Sequence, residues 1–344
     1  MQNRITKKTK LLDENGYLIN PGYATKPLFE YDRNDIKANK LRIKEWDYYY
    51  VGNDEYGLCL TISDNSYMAM GSVTFLDFKN VKDTTVSKIK FFTMGKTNLP
   101  STSEKGDVEQ SYKGLYLKFT NDGKKRNLIC ECDNFLDGQK LQADIVLSDF
   151  PAESMVIATP FKEDKKAFYY NQKINCMKAS GKVVISDKEY SFDNNNSLGL
   201  LDWGRGVWTY KNTWYWGSLS AVLPDGRLFG FNIGYGFGDT SAASENMLFV
   251  DGKAHKLSSV TFNIPVKDGK DDFMSPWTFT SDDGRFEMNF EPLINRHANI
   301  NLGVLCSVQN QVFGYFSGKA KLDDGSVIEL NRVLGFAEKV FNKW

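Results

Sequence analysis

From Leu200 the chain reads LLDWGRGVWTYKNTWYWG, which gathers Trp203, Trp208, Trp214 and Trp216, four of its seven tryptophans, around the charged pair Asp202 and Arg205. Indole faces attract cations through the ring quadrupole. A carboxyl desolvated among such rings has its pKa raised and can donate a proton near neutral pH. Gly204 and Gly206 leave room for a backbone turn that side chains would block. The residues are equally consistent with a buried Asp202–Arg205 ion pair that holds this turn. Period-two alternation projects Trp214 and Trp216 together with Tyr215 opposite, so the two indoles form either a packed core layer or the wall of a ligand cavity.

A second carboxylate, Glu245 in SAASENML, follows the glycine-rich GYGFGDT, where a loop after a strand could sit at a cavity mouth. The alternative is a helix start capped by Ser244. In RLFGFNIGYG, Phe229, Phe231, Ile233 and Tyr235 share one face, which adds Tyr235 to the aromatic candidates. Trp46, Tyr48 and Tyr50 of RIKEWDYYYV likewise share a face, as core or as cavity wall.

Other chemistries have little to draw on. With only His255 and His297 present and no GxSxG elbow, a Ser-His nucleophile system is not expected. Phosphate-loop and dinucleotide fingerprints are missing, so no nucleotide cofactor is implied. Cys59, Cys130, Cys132, Cys176 and Cys306 are scattered and odd in number, which suits reduced thiols. The Cys130-x-Cys132 pair puts two thiols on one strand face without the further ligands that a metal needs. We expect neither cofactor nor metal.

The elements that must position these residues are strands. Asp-Gly begins at Asp122, Asp137, Asp225, Asp251, Asp268, Asp283 and Asp324, commonly between alternating segments, and suits the positive φ angles of tight hairpins. Alternation recurs in YMAMGSVTFLDF, in GRFEMNF, and across an expected Gln309-Asn310 turn joining NLGVLCSV to QVFGYFSGKAKL. RNDIKANK and SAASENM allow only a few helical turns. A boundary is expected where Pro151 and Pro160 bracket a short apolar patch, giving domains 1-160 and 161-344. Blocks of this size with many short strands imply an all-β chain of two antiparallel barrel domains, closed so that no sheet edge is exposed.

Forty-three basic residues balance forty-three acidic ones, so no global field favours nucleic acid or an anionic membrane. The basic start MQNRITKKTK lacks a following apolar run, and the uncharged stretch Ala298–Gly318 is broken by amides, so neither a secretory signal nor a membrane span is expected. Together with the thiols this reads as cytoplasmic.

The blocks LLDENGYLINPGYA, RIKEWDYYYV, GLLDWGRGVW, TWYWG, GYGFGD, SENMLF and FNKW resemble the bacterial family of domain of unknown function 2804 (DUF2804) over nearly the whole chain. More distantly the layout is similar to the two-barrel, lipocalin-like group of carotenoid 1,2-hydratases, tocopherol cyclase and fungal cyclases related to Diels-Alderases. That resemblance implies an aromatic cavity near the domain junction where an apolar substrate is protonated or folded for cyclisation. On this reading the chain binds an isoprenoid, lipid or polycyclic metabolite. Asp202 and Glu245 are the acids, Arg205 orients the acid or a polar head, and Trp203, Trp208, Trp214, Trp216 and Tyr235 line the pocket. A non-catalytic carrier or sensor, and a carbohydrate-binding protein, are the competing readings.

Overall fold

All seven Asp-Gly dipeptides lie at reversals between strands. At Asp137-Gly138, Asp251-Gly252 and Asp268-Gly269 both residues have positive φ, between 47° and 82°, as two-residue hairpins with a type I′ turn require. The computed structural model describes residues 2–301 and 305–344. Among these, helix is confined to two 3-10 turns, Arg33–Asp35 and Lys40–Arg42, the first inside the RNDIKANK segment and capped by the Asp32 side chain. SAASENM is not helical. Ser244 instead bonds Gln2 Oε1 through its backbone N–H (2.8 Å) and hydroxyl (3.2 Å), so the capping role expected for it falls away.

Two large antiparallel sheets make up the molecule. The first has thirteen strands among the described residues. Its main path runs from Lys82–Phe91 through Met68–Asp77, Tyr56–Asp64, Ile43–Gly52, Leu198–Val207, Phe168–Ile185, Gln139–Ser148 and Arg126–Leu136 to Leu115–Asn121 and Val108–Tyr112. The ends of this path nearly meet: Lys90 Nζ donates to Gln110 Oε1 at 3.3 Å and lies over the Tyr112 ring. The second sheet, nine-stranded among the described residues, includes Leu228–Tyr235, Lys211–Val222, Val327–Lys343, Cys306–Lys321 and Phe286–Asn301 as neighbours and forms a half-barrel. The architecture is thus all-β, with two barrel-like units packed together. Closure is not complete, and Lys82–Phe91 keeps an exposed edge.

The position between 160 and 161 lies within one sheet, because Met155–Pro160 pairs directly with Phe168–Ile185. Sheet membership changes between Val207 and Lys211. Pro160 ends its strand opposite Phe168, so the proline bracket there marks a hairpin connection. The turn expected at Gln309-Asn310 is strand interior: Cys306–Lys321 runs through it, paired on both sides. Its amides are there because Gln309 and Gln311 face a cavity between the sheets. Leu302–Val304, part of the strand expected before that turn, lies outside the described residues. No described helix is long and apolar enough to cross a membrane.

Each sheet curls around its own apolar core, and a third cluster forms where they face each other, with Tyr48, Leu76, Leu200, Trp216, Phe313 and Phe336 among its members. Pleating decides which side chains enter which layer. On Ile43–Gly52, Tyr49 and Val51 fill the first barrel while Trp46, Tyr48 and Tyr50 face the second sheet. DWGRG is interior strand, pairing residue by residue with both neighbours. Gly204 is needed for close approach, since a Cβ there would collide with Trp46 Cζ2. Gly204→Ala should therefore displace the Trp46 ring and destabilise the fold by about 1–3 kcal/mol, measured by urea unfolding.

Candidate functional site

Two cross-strand rows face each other between the sheets. In the first sheet Lys173 pairs with Asp202, Asp202 with Tyr48 and Tyr48 with Thr61. In the second, Trp216 pairs with Glu338, Glu338 with Gln311 and Gln311 with Arg296. Opposed residues on neighbouring strands share a face, so register alone assembles these side chains from eight strands. The rows touch where Lys173 Nζ sits 3.9 Å from the Trp216 ring centroid and where Tyr48 meets Trp216 edge to face at 5.9 Å.

Around them lies a cavity of about 210 Å³, walled also by Trp46, Trp208, Trp214, Phe237 and Trp344. Trp208 stands edge-on to Trp46 (5.3 Å, 75°), to Trp214 (5.7 Å, 69°) and to Phe237 (4.7 Å, 79°). The rings interlock and still leave a void beside them. Half-buried Asn65, Met70, Ser307 and Trp344 are on the less enclosed part of the wall, while Lys173, Asp202, Glu245 and Glu338 are buried.

The charged groups differ in their partners. Asp202 accepts from Lys173 Nζ at 2.8 Å and from Asn171 Nδ2 at 2.6 Å. Glu338 accepts from Trp214 Nε1 at 2.9 Å and Gln311 Nε2 at 3.1 Å, and forms no salt bridge among the described residues. Burial pushes its pKa from 4.5 to about 7, against the pull of the Trp214 hydrogen bond and the Lys173 charge. Burial also raises Glu245, opposed by Lys173 and by Asn232, whose Nδ2 donates to Glu245 Oε2 at 3.1 Å. Asn232 in turn accepts from Trp216 Nε1 at 2.7 Å. Arg296 donates to Gln311 Oε1 at 2.7 Å. The arrangement can hold an apolar molecule against aromatic faces and offer it a carboxyl that exchanges its proton near neutrality.

Of the residues singled out from sequence, Asp202, Glu245, Trp208, Trp214 and Trp216 come together on this cavity. Trp203 and Arg205 do not. Alternation turns them to the other face of their strand, into the first barrel, where Trp203 is 1% exposed and Arg205 is fully buried. Arg205 pairs with Asp47 Oδ1 at 3.0 Å and so is not the partner of Asp202. Tyr235 is also elsewhere, stacked on Tyr215 (4.5 Å, 14°) beside the second core. His255 lies in the short strand Lys253–Lys256, and His297 is exposed with Nδ1 2.9 Å from Asn310 Oδ1. Among the described residues no cluster of three or more His, Cys, Asp or Glu could hold a metal.

Sequence reasoning missed Lys173, Arg296, Gln311 and Glu338. A signal was present for Glu338. In FAEKVFNKW the alternate positions Phe336, Glu338, Val340, Asn342 and Trp344 share a face, and the single acid in that apolar phase marks a carboxyl turned inward.

Two solved structures resemble the chain. A candidate AttH from Nitrosomonas europaea is 12% identical, covers 90% of this chain and 96% of its own, and superposes with a TM-score of 0.54. Kievitone hydratase from Nectria haematococca is 11% identical, covers 91% and 92% respectively, and has a TM-score of 0.49. The first of these shows a shared two-barrel, lipocalin-like fold. No curated protein matches the chain in sequence. The profile of the domain of unknown function DUF2804 matches residues 2–344, and the chain belongs to that family.

Proposed function

We propose that the inter-sheet cavity binds an apolar small molecule with an isoprenoid, lipid or ring skeleton, and that the chain is a cofactor-independent hydratase, cyclase or isomerase. The observation that carries this reading is Glu338, a buried carboxyl with a pKa of about 7 on a wall of indoles. In its protonated form Glu338 gives its proton to an alkene carbon of the substrate, leaving a cation that the faces of Trp46, Trp208 and Trp214 stabilise. Water adding to that cation returns a proton to Glu338 and completes a hydration. Attack by a second double bond followed by proton loss completes a cyclisation, and proton loss alone an isomerisation. Glu245, a second buried carboxyl on the cavity, takes the proton lost in the cyclisation or isomerisation, and solvent exchange then restores both acids. Asp202, first in line from sequence, serves as counter-ion to Lys173 because its oxygens are already occupied.

Size restricts the ligand. An apolar cavity of about 150 Å³ takes up benzene, so about 210 Å³ suits a single ring or a short prenyl chain. A larger polycycle must extend through the mouth.

The test is organic extraction and native mass spectrometry of the protein as purified from its host, followed by incubation of the released compound with fresh protein. A co-purifying apolar compound converted to a product heavier by one water, or to an isomer, is the expected result. A compound that binds and is returned unchanged selects the carrier instead.

A further inference from the structure

The edge strand Lys82–Phe91 and the turn after it carry an unusual set of exposed side chains. Ile89 is 44% exposed, Phe91 72%, Phe92 73% and Met94 37%. Single exposed apolar residues are ordinary, but a contiguous group including two phenylalanines marks an interaction surface. The tip is also held in place. Phe92 and Met94 adopt φ of 55° and 52°, a region that side chains rarely enter without compensation. Their N–H groups donate to the carbonyls of Tyr67 (2.7 Å) and Ser66 (2.8 Å), and Asp64 Oδ2 accepts from Gly95 N and Thr97 Oγ1. The backbone is thus fixed in a form that presents both rings to solvent.

The exposed charges along the tip have one sign, the Asp64 carboxylate beneath it being buried and hydrogen-bonded. Between Thr84 and Ser103 the chain holds Lys88, Lys90 and Lys96 and no acidic residue, although the molecule as a whole is neutral. Lysines on an edge strand also block edge-to-edge pairing, which accounts for the lysines and leaves the phenylalanines unexplained. Aromatic side chains flanked by lysines are what an interface with anionic lipid requires, the rings entering the acyl boundary and the ammonium groups staying among the phosphates.

Position supports the same occupant. Trp46 pairs with Ser63, Ser63 with Met70 and Met70 with Ile89, so one cross-strand row runs from the cavity wall to the exposed patch. Strand spacing makes that about 14 Å. We propose that the tip Ile89–Met94 docks on an anionic lipid surface, with Phe91 and Phe92 inserted and Lys88, Lys90 and Lys96 at headgroup level. The cavity then lies next to the membrane. Docking does not depend on the chemistry proposed above, whereas loading of an apolar ligand from the lipid rests on that reading.

The experiment is co-sedimentation of the full chain with phosphatidylcholine vesicles, with and without phosphatidylglycerol. The wild type should pellet with the anionic vesicles, less with the neutral ones, and be released by salt. Phe91→Ser with Phe92→Ser should lower the partition coefficient by about tenfold or more. Neutralising Lys88 and Lys90 to Gln should lower it by about fivefold per residue. Phe92→Ser alone, at a site this exposed, keeps the comparison valid if the double variant is poorly folded, and should also weaken binding. Protein left in the supernatant with both vesicle types, or variants that bind like the wild type, overturn the proposal. So does sedimentation velocity showing a wild-type dimer that Phe92→Ser dissociates, which would make the patch a subunit contact. The extraction experiment uses no vesicles, so either result can fail without the other.

Discussion

Arg205→Met is expected to destabilise the protein by about 3–5 kcal/mol, read as a large drop in the urea midpoint of the transition that reports the first barrel. The guanidinium is fully buried and supplies Nη1 to the carbonyls of Trp46 (2.7 Å) and Gly204 (2.8 Å). Its Nη2 serves the Pro100 carbonyl (2.7 Å) and Asp47 Oδ1 (3.0 Å). Methionine replaces much of the volume and none of these donors, leaving a buried carboxylate and three carbonyls without them. Burial already pushes the Asp47 pKa up, and Arg205 is the first force opposing it. Without Arg205 the penalty should therefore grow as pH rises above the ordinary carboxylate range, since folding then has to bury the charge or hold a proton on Asp47. Arg227→Met, which removes an exposed partner of Asp225, is the control and should leave the midpoint unchanged.

The second large effect concerns Glu338. With the compound recovered by extraction as substrate, Glu338→Gln should lower kcat by about 10²–10⁴-fold without loss of the folded state. The wild-type kcat/KM should fall as pH rises through about 7, because the reactive form is the protonated acid. Stability provides an independent readout. Between 4.5 and about 7 the folded protein keeps a proton on Glu338 that the unfolded chain has released. Unfolding in that window therefore loses a proton, and stability declines as pH rises, by up to about 3 kcal/mol in total. Glutamine cannot titrate, so the variant should lose this slope. A wild-type rate independent of pH between 6 and 8 would remove Glu338 from the role of acid, and an unchanged stability slope in the variant would assign the linkage to another group.

A good deal of this molecule is legible along the chain. Alternation and Asp-Gly turns determine its class, because a period of two and a backbone with paired positive φ are local properties. The same period pairs Trp214 with Trp216 and Trp46 with Tyr48, and all four line the cavity. Trp203 and Arg205 had their faces written in the same alternation. Reading DWGRG as a turn hid this, since glycines that make room for the Trp46 ring look the same in sequence as glycines that permit a reversal.

What only the tertiary structure decided is which strands are neighbours and which faces meet. Asp202 could have been paired with Arg205 or left unpaired. The register that sets Leu198–Val207 against Phe168–Ile185 makes Lys173 its partner. Glu338 becomes a titrating group near neutrality only when Val327–Lys343 lies against Lys211–Val222 and the two sheets close over it. Strand pairing is a long-range choice made by whole surfaces, and burial is a property of the packed pair of sheets, so neither the partner of a charge nor its pKa can be read from the residues beside it.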